Sequence, residues 1–204
     1  MIDCRLNIIY LVPAAFSSIF PLFSKESGIY YIGFPFVIEH RPGERMNFGF
    51  SYVGLIYLAM LMIPNLIWAR NKPKNYEQYA GNENRALLAL ERIGEVLVSA
   101  AALVFSDFNL RPWSVWCLWL VLSFVLMLLY EAFWIRYFRS ERTMRDFYRG
   151  FAGIPVAGAT LPVAAFFLLG VYGRNIPMLL ASVILGIGHI GIHLAHAGEV
   201  GKSR

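Results

Sequence analysis

Apolar residues in this chain come in long, nearly unbroken runs separated by short polar segments. Half-buried strands would show alternation, and surface helices would show apolar positions every three to four residues. Five runs, 48–69, 86–105, 113–135, 151–172 and 176–197, approach the ~20 residues that cross a bilayer core. The pattern predicts an all-α fold, a transmembrane helical bundle of five helices. The first run carries Pro64 and Asn65 in its last turns, and the fourth contains Pro155 and Pro162 among many small residues, as suits kinked and closely packed spans. The third opens on Trp113, Trp116 and Trp119, side chains that favour the membrane–water boundary.

Residues 1–45 differ from the rest. An apolar run over 6–23 is broken by Pro13 and Pro21, and Pro35 and Pro42 interrupt the aromatic stretch after it. This segment reads as an N-terminal extension. It is either a signal anchor, which would make a sixth helix if it inserts, or sequence ahead of a true start at Met46. The second alternative draws on Met46-Asn47-Phe48-Gly49-Phe50-Ser51-Tyr52 as a short amino terminus leading into a helix. It also draws on Gly43-Glu44-Arg45, whose codons can spell a purine-rich ribosome-binding sequence. Residues 46–204 then form the five-helix transmembrane domain.

Composition agrees with the pattern: 58% of residues are hydrophobic and 15% charged, where soluble domains approach a quarter charged. The net charge of +5 is not a nucleic-acid footprint, because the basic residues gather between apolar runs. Arg70, Lys72 and Lys74 follow the first run, five arginines lie in 136–149, and Lys202 and Arg204 close the chain. By the positive-inside rule these ends are cytoplasmic, which gives a multi-pass cell-membrane protein, of the bacterial inner-membrane kind, with its carboxyl terminus inside. Arg136, Arg139, Arg142, Arg145 and Arg149 recur at spacings that share a helix face, with Tyr137, Phe138, Phe147 and Tyr148 among them. They serve as a topology signal and, in an interfacial helix, as contacts for anionic lipid headgroups. Cys4 and Cys117 lie in different apolar regions and make no metal-type pair.

The candidate chemistry lies where ionisable groups enter the apolar runs. Three of the four histidines, His189, His193 and His196, stand at i, i+4 and i+7 on one face of the fifth run. The second run carries Glu91, Arg92 and Glu95. A charge at the bilayer centre costs roughly 2.5–3.5 kcal/mol on insertion scales, so these groups are expected inside the bundle or near the cytoplasmic surface. At 1.5 Å per residue Glu91 and Glu95 lie ~7.5 and ~13 Å from the inner end of their run, and His193 and His189 ~6 and ~12 Å from theirs. The depths match if the second and fifth helices are neighbours. Asn65 and Glu131 fall in the same inner third.

Three chemistries fit such a layer. Hydrogen-bonded pairs can simply hold helices together, as in a non-catalytic partner subunit. The layer can instead bind or relay a proton, an ion or a small polar solute, with Glu91 and Glu95 accepting protons, His189 and His193 sharing them and Arg92 tuning the carboxylates. Or it can hold zinc or iron on His189, His193 and Glu95, the basis for a membrane-embedded enzyme acting on a lipid or isoprenoid substrate. Five spans leave little room for a wide permeation path, so a transporter of this size is expected to form a homo-oligomer.

Named motifs add little. Gly186-Ile187-Gly188-His189-Ile190-Gly191 matches G-x-G-x-x-G, but it lies inside an apolar run with no strand before it, so close helix packing explains the glycines better than dinucleotide binding. The H-x-x-x-H spacing is that of histidine boxes in membrane desaturases and hydroxylases, but those need several boxes and only His40 lies outside this cluster. The stretches from Ile63 to Pro73, from Leu90 to Gly94 and from Gly188 to Leu194 resemble small, uncharacterised bacterial polytopic integral membrane proteins, a likeness covering 46–199. It implies the five-span core and no activity.

Overall fold

The computed structural model describes residues 46–73, 76 and 83–202. The expectations for 1–45, and for Lys74 and Arg204, lie outside them. Among the described residues the fold is all-α: α1 (Tyr52–Arg70), α2 (Arg85–Val104), α3 (Leu118–Phe138), the short α4 (Met144–Tyr148), α5 (Ala157–Gly173) and α6 (Ile176–Lys202). Two 3-10 turns, Ser106–Phe108 and Val115–Cys117, lie between α2 and α3.

The helix boundaries depart from the apolar runs for local reasons. α1 starts later than residue 48 because residues 47–51 are extended along the end of α2. There the Gly49 N–H donates to Val104 O at 2.8 Å and the Ser106 N–H to Asn47 O at 3.0 Å. Ser51 then caps α1, its hydroxyl oxygen accepting from Gly54 N–H. α5 starts only at Ala157 because the preceding residues form a tight turn, with Gly153 at φ 75° and Ala152 at φ 51°. α6 is longer than expected: nothing stops it at Ala197, and the predicted polar tail is helical to Lys202.

α1, the segment Val115–Phe138 and α6 are each long and apolar enough to cross a membrane, and α5 is apolar but shorter. α2 is not among the long apolar helices, because Glu91, Arg92 and Glu95 interrupt it. The outward faces are themselves apolar: Leu55, Ile56, Ile63 and Ile67 on α1, Val121, Leu122, Val125 and Leu128 on α3, Ile187 and Leu194 on α6. In water such surface would be penalised by roughly 25 cal/mol per Å², and helices apolar on all sides are those of membrane spans or deep cores. These helices mark the chain as a membrane protein.

Packing is most extensive between α2 and α6, then between α3 and α5 and between α5 and α6, with α1 against α2 and α3. Small residues permit the closest approaches. A Cβ on Gly188 would run into the backbone N of Glu91, one on Gly94 would lie 2.5 Å from the Leu185 backbone, and one on Gly54 would collide with the Ala102 carbonyl. Within the G-x-G-x-x-G stretch, Gly188 and Gly191 face Leu87 and Glu91 on α2, whereas Gly186 faces Val163 on α5. The glycines thus act as packing surfaces.

Polar groups fasten the end of the bundle opposite the histidines. The buried Asp107 accepts from Asn47 Nδ2 at 2.7 Å and from Asn175 Nδ2 at 3.3 Å. Asn175 also caps α6, its Oδ1 accepting from Met178 N–H at 3.0 Å. One carboxylate therefore ties the start of the described chain to the α5–α6 turn.

Candidate functional site

Because Gly188 seats its backbone against α2, the residue after it is held level with Glu91. His189 Nδ1 lies 2.6 Å from Glu91 Oε1, 98 positions apart in sequence. Both side chains are largely enclosed, 24% and 11% exposed. One turn along α6, the ring of His193 sits 4.6 Å from that of His189. Glu91, His189 and His193 each offer a ligand atom, and these atoms all lie within 4.8 Å of one another.

A second layer continues from His193. The Tyr148 hydroxyl, from the end of α4, lies 3.2 Å from His193 Nδ1 and 3.2 Å from His196 Nδ1. His196 Nε2 in turn lies 3.7 Å from Glu83 Oε1, just ahead of the Asn84 cap of α2, with both side chains at most 9% exposed. Polar groups thus run from the triad towards the start of α2: Glu91, His189, His193, Tyr148, His196, Glu83.

The other expected site residues are placed differently. The carboxylate beside His189 is Glu91, not Glu95, which pairs with Arg92 on its own helix at 3.3 Å. The depth matching that favoured Glu95 took both helices to end together, but α6 overruns to Lys202 and the Gly188 crossing sets the register instead. Asn65 donates to Leu61 O at 2.7 Å and to Tyr130 Oη at 2.9 Å, joining α1 to α3. Glu131 Oε1 is buried and has no hydrogen-bond partner among the described residues. No hydrogen bond or ion pair joins Asn65 or Glu131 to the histidines among the described residues, so the polar layer is divided.

The arginine segment is divided as well. Arg136 is turned inward, donating to the carbonyls of Asp146, Arg149 and Gly150 at 3.1–3.2 Å and lying over the rings of Phe133 and Phe151. It fastens α4 to α3 and is occupied there. Arg139, Arg142, Arg145 and Arg149 are exposed. α4 is held by a capping box in which the Thr143 hydroxyl oxygen and the Asp146 carboxylate each accept from the other's backbone N–H at 3.1 Å. The Thr143 hydrogen bonds hold the Asp146 carboxyl below its usual range.

Tyr148 and Glu83 were not singled out as site residues from the sequence. Tyr148 stood among the aromatic anchors of the arginine segment and Glu83 in a polar loop. The available signal was geometric: α4 packs against α6, and an antiparallel partner of α6 must begin near the level of His196.

The fold and this cluster define a class, an all-helical membrane protein with ionisable groups gathered between two of its helices. Comparison with protein-family models, with curated proteins and with solved structures gives no match.

Proposed function

We propose that this is a multi-pass membrane protein with its carboxyl terminus in the cytoplasm, and that its Glu/His cluster binds or relays a proton, an ion or a small polar solute near the cytoplasmic face. The observation that carries the reading is the 2.6 Å contact between Glu91 and His189. Structural glue needs only hydrogen bonds made anywhere along an interface. Here a carboxylate and two imidazoles converge at one point on α2 and α6, where glycine is required for the backbones to approach. Arg70, the arginines of 139–149 and Lys202 lie at the helix ends assigned to the cytoplasm, in keeping with the positive-inside rule. In this reading Arg139, Arg142, Arg145 and Arg149, which are exposed, contact anionic headgroups.

The test is thermal unfolding of the detergent-purified protein across a panel of alkali, alkaline-earth and transition-metal cations and of pH, with wild type beside Glu91→Gln. A ligand that binds only the folded state at 100 times its Kd stabilises by about 2.7 kcal/mol, which a melting curve resolves. The expected result is a shift of the wild-type midpoint by at least one member of the panel, and its loss in the variant. Identical responses of both proteins to every condition would overturn the reading.

A further inference from the structure

We infer that the ligand of this cluster is a divalent transition-metal ion of the zinc class, held by Glu91, His189 and His193. The inference rests on the reading of the cluster as a binding site and names what it binds. The donor set comes first. Two imidazole nitrogens and one carboxylate oxygen suit zinc and its first-row neighbours, whereas calcium and magnesium take oxygen donors and copper(I) takes thiolates. Ligand bonds in such sites are ~2.0–2.2 Å. The three donors already lie within 4.8 Å of one another, on two helices that cross tightly. Small side-chain rotations close them on an ion.

The second observation concerns what surrounds the triad. Tyr148 has one hydroxyl proton but touches two imidazoles, at 3.2 Å each, through their Nδ1 atoms. It can donate to only one of them and must accept from the other. The charge of Glu83 biases the direction. Its Oε1 lies 3.7 Å from His196 Nε2, beyond hydrogen-bond distance but within electrostatic reach of that buried nitrogen, and favours the ring tautomer with the proton on Nε2 and Nδ1 as the acceptor. In that tautomer Tyr148 donates to His196 Nδ1 and accepts from His193 Nδ1–H. In neutral His193 the lone pair is thereby left on Nε2. Metal-bound histidines characteristically donate their other ring N–H to an oxygen that fixes tautomer and orientation, and Tyr148 supplies that oxygen. Three protein ligands leave a further coordination position for water or a substrate oxygen.

Tyr148 is accordingly a positioning residue. The experiment uses the full-length protein without a histidine tag, in detergent, titrated with cobalt(II) and followed by its visible ligand-field bands, with zinc competition. Wild type, His189→Gln, Glu91→Gln, Tyr148→Phe and Glu131→Gln are compared, with circular dichroism confirming helicity. The expected result is one ion per chain in wild type and in Glu131→Gln, no saturable spectrum in the two ligand variants, and about 10–100-fold weaker binding in Tyr148→Phe. If wild type takes up no ion above His189→Gln, the metal assignment is overturned. If Tyr148→Phe binds as wild type does, the tautomer argument falls and with it the role given to Tyr148. Stabilisation by protons or other cations that Glu91→Gln abolishes, without cobalt binding, would leave the site standing and remove only the metal.

Discussion

Asp146 shows how a single surface residue bears on the interior. Its carboxylate, with the Thr143 hydroxyl, forms the capping box of a helix only five residues long, whose last side chain is Tyr148. The Thr143 hydrogen bonds lower its folded-state pKa. The stabilisation is therefore present above the unfolded value of about 3.9 and lost as pH falls through the depressed folded value. The protection of the 143–149 amides, taken against their intrinsic exchange rates at each pH, is expected to fall on acidification in wild type. In Asp146→Asn it should be low already at neutral pH and change less with pH. Equal protection of the two proteins at every pH would show that the box does not hold α4. At this scale the sequence was only partly legible. His189, His193 and Glu91 stood out because ionisable groups are rare in apolar runs. Choosing Glu91 over Glu95, four residues on along the same helix, needed the crossing point, and Tyr148 needed the fold of a loop.

The helices themselves were far more legible, because membrane-length apolar runs report on one element each. Their ends shifted where backbone hydrogen bonds outside the helix competed, as at residues 47–51, or where no stop signal existed, as after Ala197. Which helices touch was not written in hydropathy, but it was partly written in glycine. Gly188 and Gly198 give a direct comparison on α6. A Cβ at Gly188 would run into Glu91 and Leu87 backbone atoms, whereas one at Gly198 meets nothing within 4 Å. Gly188→Ala is expected to destabilise by about 1–3 kcal/mol, the usual range for overpacking, and to weaken any Glu91-dependent ligand response. Gly198→Ala should stabilise by roughly 0.5–1 kcal/mol, through helix propensity alone. Thermal unfolding of both variants checks this pair. Equal effects would mean that α2 and α6 do not meet at Gly188.

For the molecule as a whole, the proposed orientation is the one in keeping with the basic helix ends. With the carboxyl terminus of α6 inside, as proposed, His196, Glu83 and Tyr148 would lie nearest the cytoplasm, and Asp107 and Asn175 at the outer end. Single cysteines introduced at Gly201 and Asn109, in a background with Cys4 and Cys117 replaced, are expected to label with an impermeant reagent from the cytoplasmic and the outer side respectively. The reverse pattern would move the cluster to the other face. The central proposal remains that Glu91 and His189 act together as one cation site between α2 and α6. Its most direct measurement is a double-mutant cycle on the ligand-induced shift in melting midpoint, with wild type, Glu91→Gln, His189→Gln and the double variant. Each single variant is predicted to lose the whole shift and the double variant to lose no more. Single variants that keep the full shift, or partial losses that add up in the double variant, would contradict it.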